Sequence, residues 1–365
     1  MASFETDSVC SSSLGRMTKP QRFGLQCLGL LAVLAVGCRE DQAPVTKHPT
    51  PSAHSAQASA PRAVASHPAP SASEAKGPTV ASVAPSGDLT PKKSVAAEEK
   101  TWVWNDTPIG EMQVVVSVPK HMEGEKLPVL VTMHGLGEAR KGPAKGARGW
   151  LDDYDLAKAE ARLAAPPLTT QDLQGFAGER LDVFNATLKE EPYRGLIVVM
   201  PYTPDILKGD RPFSLAEPLA TFLVDKLLPR VYKETPAIGS VASTGIDGVS
   251  LGGRAALLVG LSRPEAFGAV GGLQPAFDQK DAPELTRRAL EARKKNPTFQ
   301  LRLLTSVGDY FLGSTKAISQ AFEEADVFHS LVIVPGDHSY KFNRGPGAYE
   351  LLMYHDRVLR GRPPV

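Results

Sequence analysis

The sequence predicts a three-layer α/β sandwich around a mostly parallel sheet. Short apolar runs alternate with longer amphipathic stretches through the 266 residues from Lys100 to Val365, a rhythm that builds parallel sheets covered by helices. Several runs are apolar on both faces, as strands buried from both sides must be. The one clear β-hairpin candidate, Trp102–Trp104 with Met112–Val118, lies near the start of this region.

The strand candidates, in order, are Met112–Val118, Val129–Met133, Leu196–Met200, Gly245–Val249, Ala269–Leu273, Leu301–Thr305 and Leu331–Val334. Between and after them, Leu215–Tyr232, Leu251–Ser262, Glu284–Lys295, Ser314–Ala325 and Pro346–Arg360 carry helical periodicity. No internal repeat is visible. A chain length of 266 residues suffices for one large core that buries about 70–75% of its unfolded surface.

The first hundred residues have a different character. Arg16, Lys19 and Arg22 precede the uncharged stretch Phe23–Gly37, which ends in Leu34-Ala35-Val36-Gly37-Cys38. A basic start, an apolar run and small residues before a break make a secretory signal. The 15 residues of the run fall short of the ~18–20 that span a bilayer. Its end resembles a bacterial lipobox, with Ala35 where Leu is commonest, which implies lipidation of Cys38 after removal of residues 1–37. Residues 41–98 hold 32 Ala, Pro or Ser in 58 positions, and Leu89 is their only Leu or Ile. Such a segment cannot bury enough apolar surface to offset its ordering entropy, and its prolines stiffen it toward extended conformations. The expected organisation is therefore a lipoprotein-type signal over residues 1–38, an Ala/Pro/Ser-rich tether over 39–99 and a folded α/β domain over 100–365. An exported protein, lipid-anchored to a membrane of the cell envelope, is the expectation.

Composition narrows the function classes. With 41 basic and 40 acidic residues, the chain lacks the basic excess of a nucleic-acid binder. Three cysteines, at positions 10, 27 and 38, make neither a disulfide framework nor a Cys-rich zinc site. No H-E-x-x-H, Walker or dinucleotide fingerprint occurs, so no metal or cofactor is expected. The run Arg140, Lys141, Lys145 and Arg148 holds four positive charges and no acid. It is expected to be a solvated loop, with the grip of an anionic substrate as the alternative.

The chemistry is concentrated in Gly248-x-Ser250-x-Gly252. This spacing puts a serine on a tight turn between strand and helix, with glycines that let the two approach. The Leu251 N–H, at the helix start, is placed to receive a developing oxyanion. In such an arrangement the acid and the base follow the serine in that order. Among eight histidines, His48, His54 and His67 belong to the tether, and His121 and His134 precede the serine. His329 immediately precedes a strand, and His355 is expected on the surface of the last helix. His338, in the loop after the last strand, remains as the base. Asp309 leaves the carboxyl end of the preceding strand and is the expected acid. Asp337 is its competitor, but a neighbour in sequence rarely orients an imidazole. The second oxyanion donor is expected at the Leu136 N–H in His134-Gly135-Leu136-Gly137, with Gly135 supplying backbone flexibility.

Ser250-Leu-Gly-Gly-Arg-Ala-Ala-Leu, followed by Arg263-Pro-Glu-Ala-Phe-Gly-Ala-Val, resembles the putative esterase family of α/β hydrolases. That family holds esterase D, feruloyl and acetylxylan esterases, enterochelin esterase and mycolyltransferases. Leu127 to Gly135, the Gly308-Asp309 turn and Pro335-Gly-Asp-His338-Ser-Tyr resemble its remaining landmarks. The resemblance runs from about Trp102 to Leu359 and implies an α/β-hydrolase fold with a Ser250–Asp309–His338 triad and no cofactor. Two positions depart from the pattern: Asp337 and Tyr340 stand where the family often has Gly and Trp. Glu138–Leu188 matches nothing in the pattern. The expected activity is hydrolysis of carboxylic esters, of small molecules or polysaccharide-linked groups, through an acyl-enzyme. An acyltransferase on the same triad and a non-catalytic binding module are the alternatives.

Overall fold

The structure, a computed structural model, describes residues 93–207, 213 and 216–365. The signal segment, Cys38 and the tether as far as residue 92 lie outside the described residues.

The chain opens with β1 (Ser94–Val95), β2 (Glu98–Trp104), β3 (Met112–Val118), β4 (His121–Met122) and β5 (Val129–Met133). Five helices follow: α1 (Leu136–Ala139), α2 (Gly142–Gly146), α3 (Gly149–Asp152), α4 (Leu156–Leu163) and α5 (Arg180–Glu190). After β6 (Ile197–Pro201) come α6 (Ala216–Phe222) and α7 (Leu228–Glu234), joined by a π-helical turn over Leu223–Leu227. Next are β7 (Thr244–Gly248), α8 (Leu251–Ser262), β8 (Ala269–Leu273), α9 (Ala282–Lys295) and β9 (Gln300–Gly308). The chain ends with α10 (Leu312–Glu324), β10 (Ser330–Asp337), α11 (Tyr340–Phe342) and α12 (Ala348–Val358).

Eight strands form one sheet in the order β10-β9-β8-β7-β5-β6-β3-β2, and β1 pairs with β4 in a separate ribbon. All pairings from β10 to β6 are parallel; β3 and β2 extend the sheet antiparallel. The sheet is buried on both faces. Val129, Val131 and Met133 of β5 feed one apolar layer with α6 to α10, while Leu130 feeds the other with α3, α4, α5 and α12. This is the two-periodicity of a strand dividing its side chains between two cores. The three-layer α/β-hydrolase architecture is thus present.

One expectation about the chain's organisation is corrected. Ordered structure begins before residue 100, because β2 starts at Glu98 and pairs with β3 from Glu98↔Val118 onward. Backbone pairing recruits these charged, exposed residues to an edge strand, so no apolar side chains announce it. The stretch Glu138–Leu188, without a sequence landmark, holds the second half of α1, all of α2 to α4, and α5 as far as its last turn. Trp150, Tyr154, Leu156, Leu163 and Phe184 from this stretch are fully or almost fully buried in the second layer.

The topology sets the site. From β5 the chain passes to β6 on one side and then returns to β7 on the other. Such a switch point opens a crevice at the carboxyl ends of the strands, here between the segment after β5 and the turn after β7.

Candidate active site

Ser250 stands between β7 and α8 with φ +57° and ψ −117°, a conformation that a non-glycine residue adopts only when its surroundings enforce it. They do: the Val249 N–H donates to the Met133 carbonyl (3.1 Å) and the Ser250 N–H to the Leu273 carbonyl (2.9 Å), pinning the turn to β5 and β8. Gly252 is required by close approach, since a Cβ there would lie 2.1 Å from the Met133 carbonyl oxygen.

His338 follows β10 directly, and its Nε2 lies 3.1 Å from Ser250 Oγ. Its Nδ1 lies 2.8 Å from Asp309 Oδ1. With the Nδ1–H donated to Asp309, Nε2 is free to accept from the serine hydroxyl. Asp309, just beyond β9, is itself held by the Thr305 hydroxyl (2.6 Å) and the Phe311 N–H (3.0 Å). Its side chain is 0% exposed, against 14% for His338, so the carboxylate is sealed while the imidazole reaches the cleft. The ring of Tyr310 covers His338 at 4.1 Å between centroids, and Phe311 meets it edge-on at 5.4 Å. Asp337 points elsewhere: its carboxylate accepts from the Ser339 hydroxyl (2.5 Å), and its carbonyl from the Gln274 amide (2.8 Å).

The two expected oxyanion donors flank the serine. Among the described residues no acceptor takes the N–H of Leu136 or Leu251, whereas the Gly135 N–H donates to the Tyr154 hydroxyl (3.1 Å). Gly135 supplies room rather than flexibility. Its φ of −77° is open to any residue, but a Cβ would crowd the Tyr154 hydroxyl at 3.1 Å. His134 is buried and structural: Nε2 accepts from the Thr203 N–H (2.8 Å), and Nδ1 donates to the Gly135 carbonyl (3.0 Å). Burial holds its pKa down at about 4.

Two further expectations change. His355 is fully buried, not at the surface, with Nε2 3.0 Å from Asp247 Oδ2. Arg302 reaches the same oxygen at 2.6 Å. A histidine on the inner face of α12 lacks any local signal that distinguishes it from an outer one, because its partner sits 108 residues earlier. The segment Arg140–Arg148 is mostly helical rather than a loop, and two of its cations are paired: Lys141 with Asp153 (2.7 Å), and Arg148 with Asp152 (2.9 Å) and Glu99 (2.5 Å). That pairing leaves the anionic-substrate grip without support.

The cleft itself is small, about 190 Å³, and is lined by Gly135–Glu138, Tyr154, Ser250, Tyr310 and the segment from His338 to Tyr340, among others. Glu138 was invisible as a site residue from sequence. The only clue was Tyr340, an unusual residue at its position, whose hydroxyl donates to Glu138 Oε1 at 2.6 Å.

A strained serine at a strand–helix turn, facing a histidine backed by a sealed carboxylate at one sheet edge, defines an α/β hydrolase. Residues 187–326 match the Putative esterase family, a stretch that contains Ser250 and Asp309 and stops before His338. Family match and fold together make the chain a serine carboxylic ester hydrolase of the α/β-hydrolase type. Solved structures of the same fold include a ferulic acid esterase, 16% identical with a TM-score of 0.53, covering 72% of this chain and 99% of that one. An S-formylglutathione hydrolase from Staphylococcus aureus is 13% identical with a TM-score of 0.52, over 74% and 100% of the two chains. A fluorophosphonate-binding serine hydrolase of Staphylococcus aureus is 12% identical with a TM-score of 0.51, over 72% and 100%. No curated protein matches the sequence.

Proposed function

We propose that the protein is a membrane-tethered, extracytoplasmic esterase in which Ser250, His338 and Asp309 form the catalytic triad. The observation that carries this is the continuous relay from Ser250 Oγ through His338 to Asp309, at 3.1 and 2.8 Å. His338 takes the serine proton as Oγ attacks the ester carbonyl, and the N–H groups of Leu251 and Leu136 receive the oxyanion. The imidazolium, steadied by Asp309, then protonates the departing alcohol. Water, activated by the same histidine, hydrolyses the acyl-enzyme and restores the serine. The small cleft, about 190 Å³, favours a small acyl group, while the exposed ring of Tyr310 beside His338 leaves an open side for a small-molecule or polysaccharide-linked alcohol.

The tether rests on the sequence alone: a signal ending at Cys38, whose thiol would carry the lipid, and an Ala/Pro/Ser-rich linker. Intact mass of the mature N-terminus tests it, and an unmodified Cys38 removes the anchor. For the enzyme, a p-nitrophenyl acetate and butyrate panel with wild type and Ser250→Ala is decisive. Wild-type rates in that variant overturn the assignment. Transfer to added alcohols or sugars in preference to water would make the protein an acyltransferase on the same triad.

A further inference from the structure

Glu138 lies just beyond the oxyanion segment, 1% exposed, yet it lines the cleft beside Ser250. A carboxylate buried to this degree is tolerated only where it is paired and hydrogen-bonded. Here both oxygens are engaged. Oε2 accepts from the Tyr154 hydroxyl and Oε1 from the Tyr340 hydroxyl, the latter at 2.6 Å. Lys141 Nζ stands 3.7 Å from Oε1 and offsets the charge. The Tyr154 oxygen in turn accepts the Gly135 N–H. A continuous chain of hydrogen bonds therefore runs from the backbone of the oxyanion segment, through Glu138, to Tyr340, two residues beyond His338.

The glycines around this cluster point the same way. A Cβ on Gly137 would lie 2.5 Å from the Tyr340 hydroxyl, and one on Gly149 would lie 2.5 Å from Glu138 Cγ. Both positions are cleared for the carboxylate and its phenol partners. The helix that carries Glu138, α1, has only four residues, too few to hold itself. Its placement must come from tertiary bonds, and an oxyanion donor is useful only within a few tenths of an ångström of the right distance.

We infer that Glu138 is a positioning residue, which fixes the Leu136 N–H relative to Ser250 and His338 by clasping the oxyanion segment to the histidine loop through Tyr154 and Tyr340. The inference rests on the triad reading above. Glu138 touches no reacting atom; it acts through the backbone it holds.

The test uses the full chain with Tyr340→Phe and Glu138→Gln, each assayed on a short-chain p-nitrophenyl ester and against a trifluoromethyl ketone transition-state analogue. Tyr340→Phe should lower kcat about tenfold and Glu138→Gln about a hundredfold, with KM within about twofold. The analogue's inhibition constant should rise by the factor that kcat/KM falls. A merely structural role would lower the thermal midpoint and leave the kcat of the folded enzyme and the analogue's affinity in place, which overturns the clasp. Should Glu138→Gln fail to fold, Tyr340→Phe decides, because it removes one hydroxyl from a half-exposed ring. Wild-type protein without Ser250-dependent turnover overturns the esterase reading and the clasp with it. Ser250-dependent turnover that is unchanged in both variants overturns the clasp alone.

Discussion

Among the described residues, two histidine–aspartate pairs have nearly the same length. His338 meets Asp309 at 2.8 Å at the sheet edge, and His355 meets Asp247 at 3.0 Å in the core. Their surroundings separate them. Among the described residues, Asp309 has no Lys or Arg partner, and His338 turns its other nitrogen to a serine in an open cleft. Asp247 is shared with Arg302, and all three side chains of that cluster are 1% exposed or less. Burial by itself would raise the Asp247 carboxyl, but the charge of Arg302 and the bond from His355 outweigh it and hold it below the usual range. In the proposed triad, a carboxylate–imidazole bond serves catalysis because topology gives the ring a nucleophile and an open cleft. Elsewhere it is a way to keep buried charge satisfied.

Substitutions can break that contrast, and the largest effect is expected at the edge. Ser250→Ala should reduce kcat by on the order of 10⁶, as removal of a triad nucleophile does, while leaving the urea midpoint unchanged. Asp309→Asn should cost on the order of 10⁴ in kcat, whereas Asp337→Asn should cost less than about tenfold because its carboxylate faces Ser339. The reverse ranking would hand the acid role to Asp337. In the core, Asp247→Ala should instead lower stability by about 3–5 kcal/mol, since it leaves the Arg302 charge uncompensated. Urea unfolding reads this directly, and a midpoint like that of wild type would show the cluster to be dispensable.

Acidification sharpens the contrast further. Burial lowers the pKa of both His355 and His134, the latter to about 4. Folded values below the unfolded value of about 6.5 mean that the unfolded chain binds protons first as pH falls. The stabilisation is therefore complete above pH ~6.5 and is lost progressively toward the folded values, by ~3 kcal/mol for His134 alone. Urea midpoints compared at pH 7 and 4.5 should show the drop, and imidazole nitrogen shifts should show His134 still neutral at pH 5. The smallest effect belongs to the surface: Arg148→Ala, at a partly exposed pair with Asp152 and Glu99, should change stability by less than about 1 kcal/mol and leave turnover within a factor of two.

The strand rhythm was legible because burial on both faces leaves continuous apolar runs. Met112–Val118, Val129–Met133 and Ala269–Leu273 appear in the structure with the boundaries that the sequence predicts. Helix α8 was equally legible from Leu251 to Ser262. The start of β2 was not, because Glu98 and Glu99 join an edge through backbone hydrogen bonds that any side chain permits. Nor was the run α1 to α4, whose short helices are ordered by the core they cover rather than by their own propensity.

By itself, the sequence determined what is local: the alternation of strand and helix, the glycine-flanked serine turn, and the order of Ser250, Asp309 and His338 at the ends of β7, β9 and β10. These follow from side-chain periodicity and backbone sterics, which act within a few residues. Tertiary structure alone decided which histidine is sealed and which is open, that Gly135 serves space rather than flexibility, and that Glu138 meets Tyr340 across 202 positions of chain. Such contacts depend on how the layers pack, and no pattern within either segment encodes the distance between them.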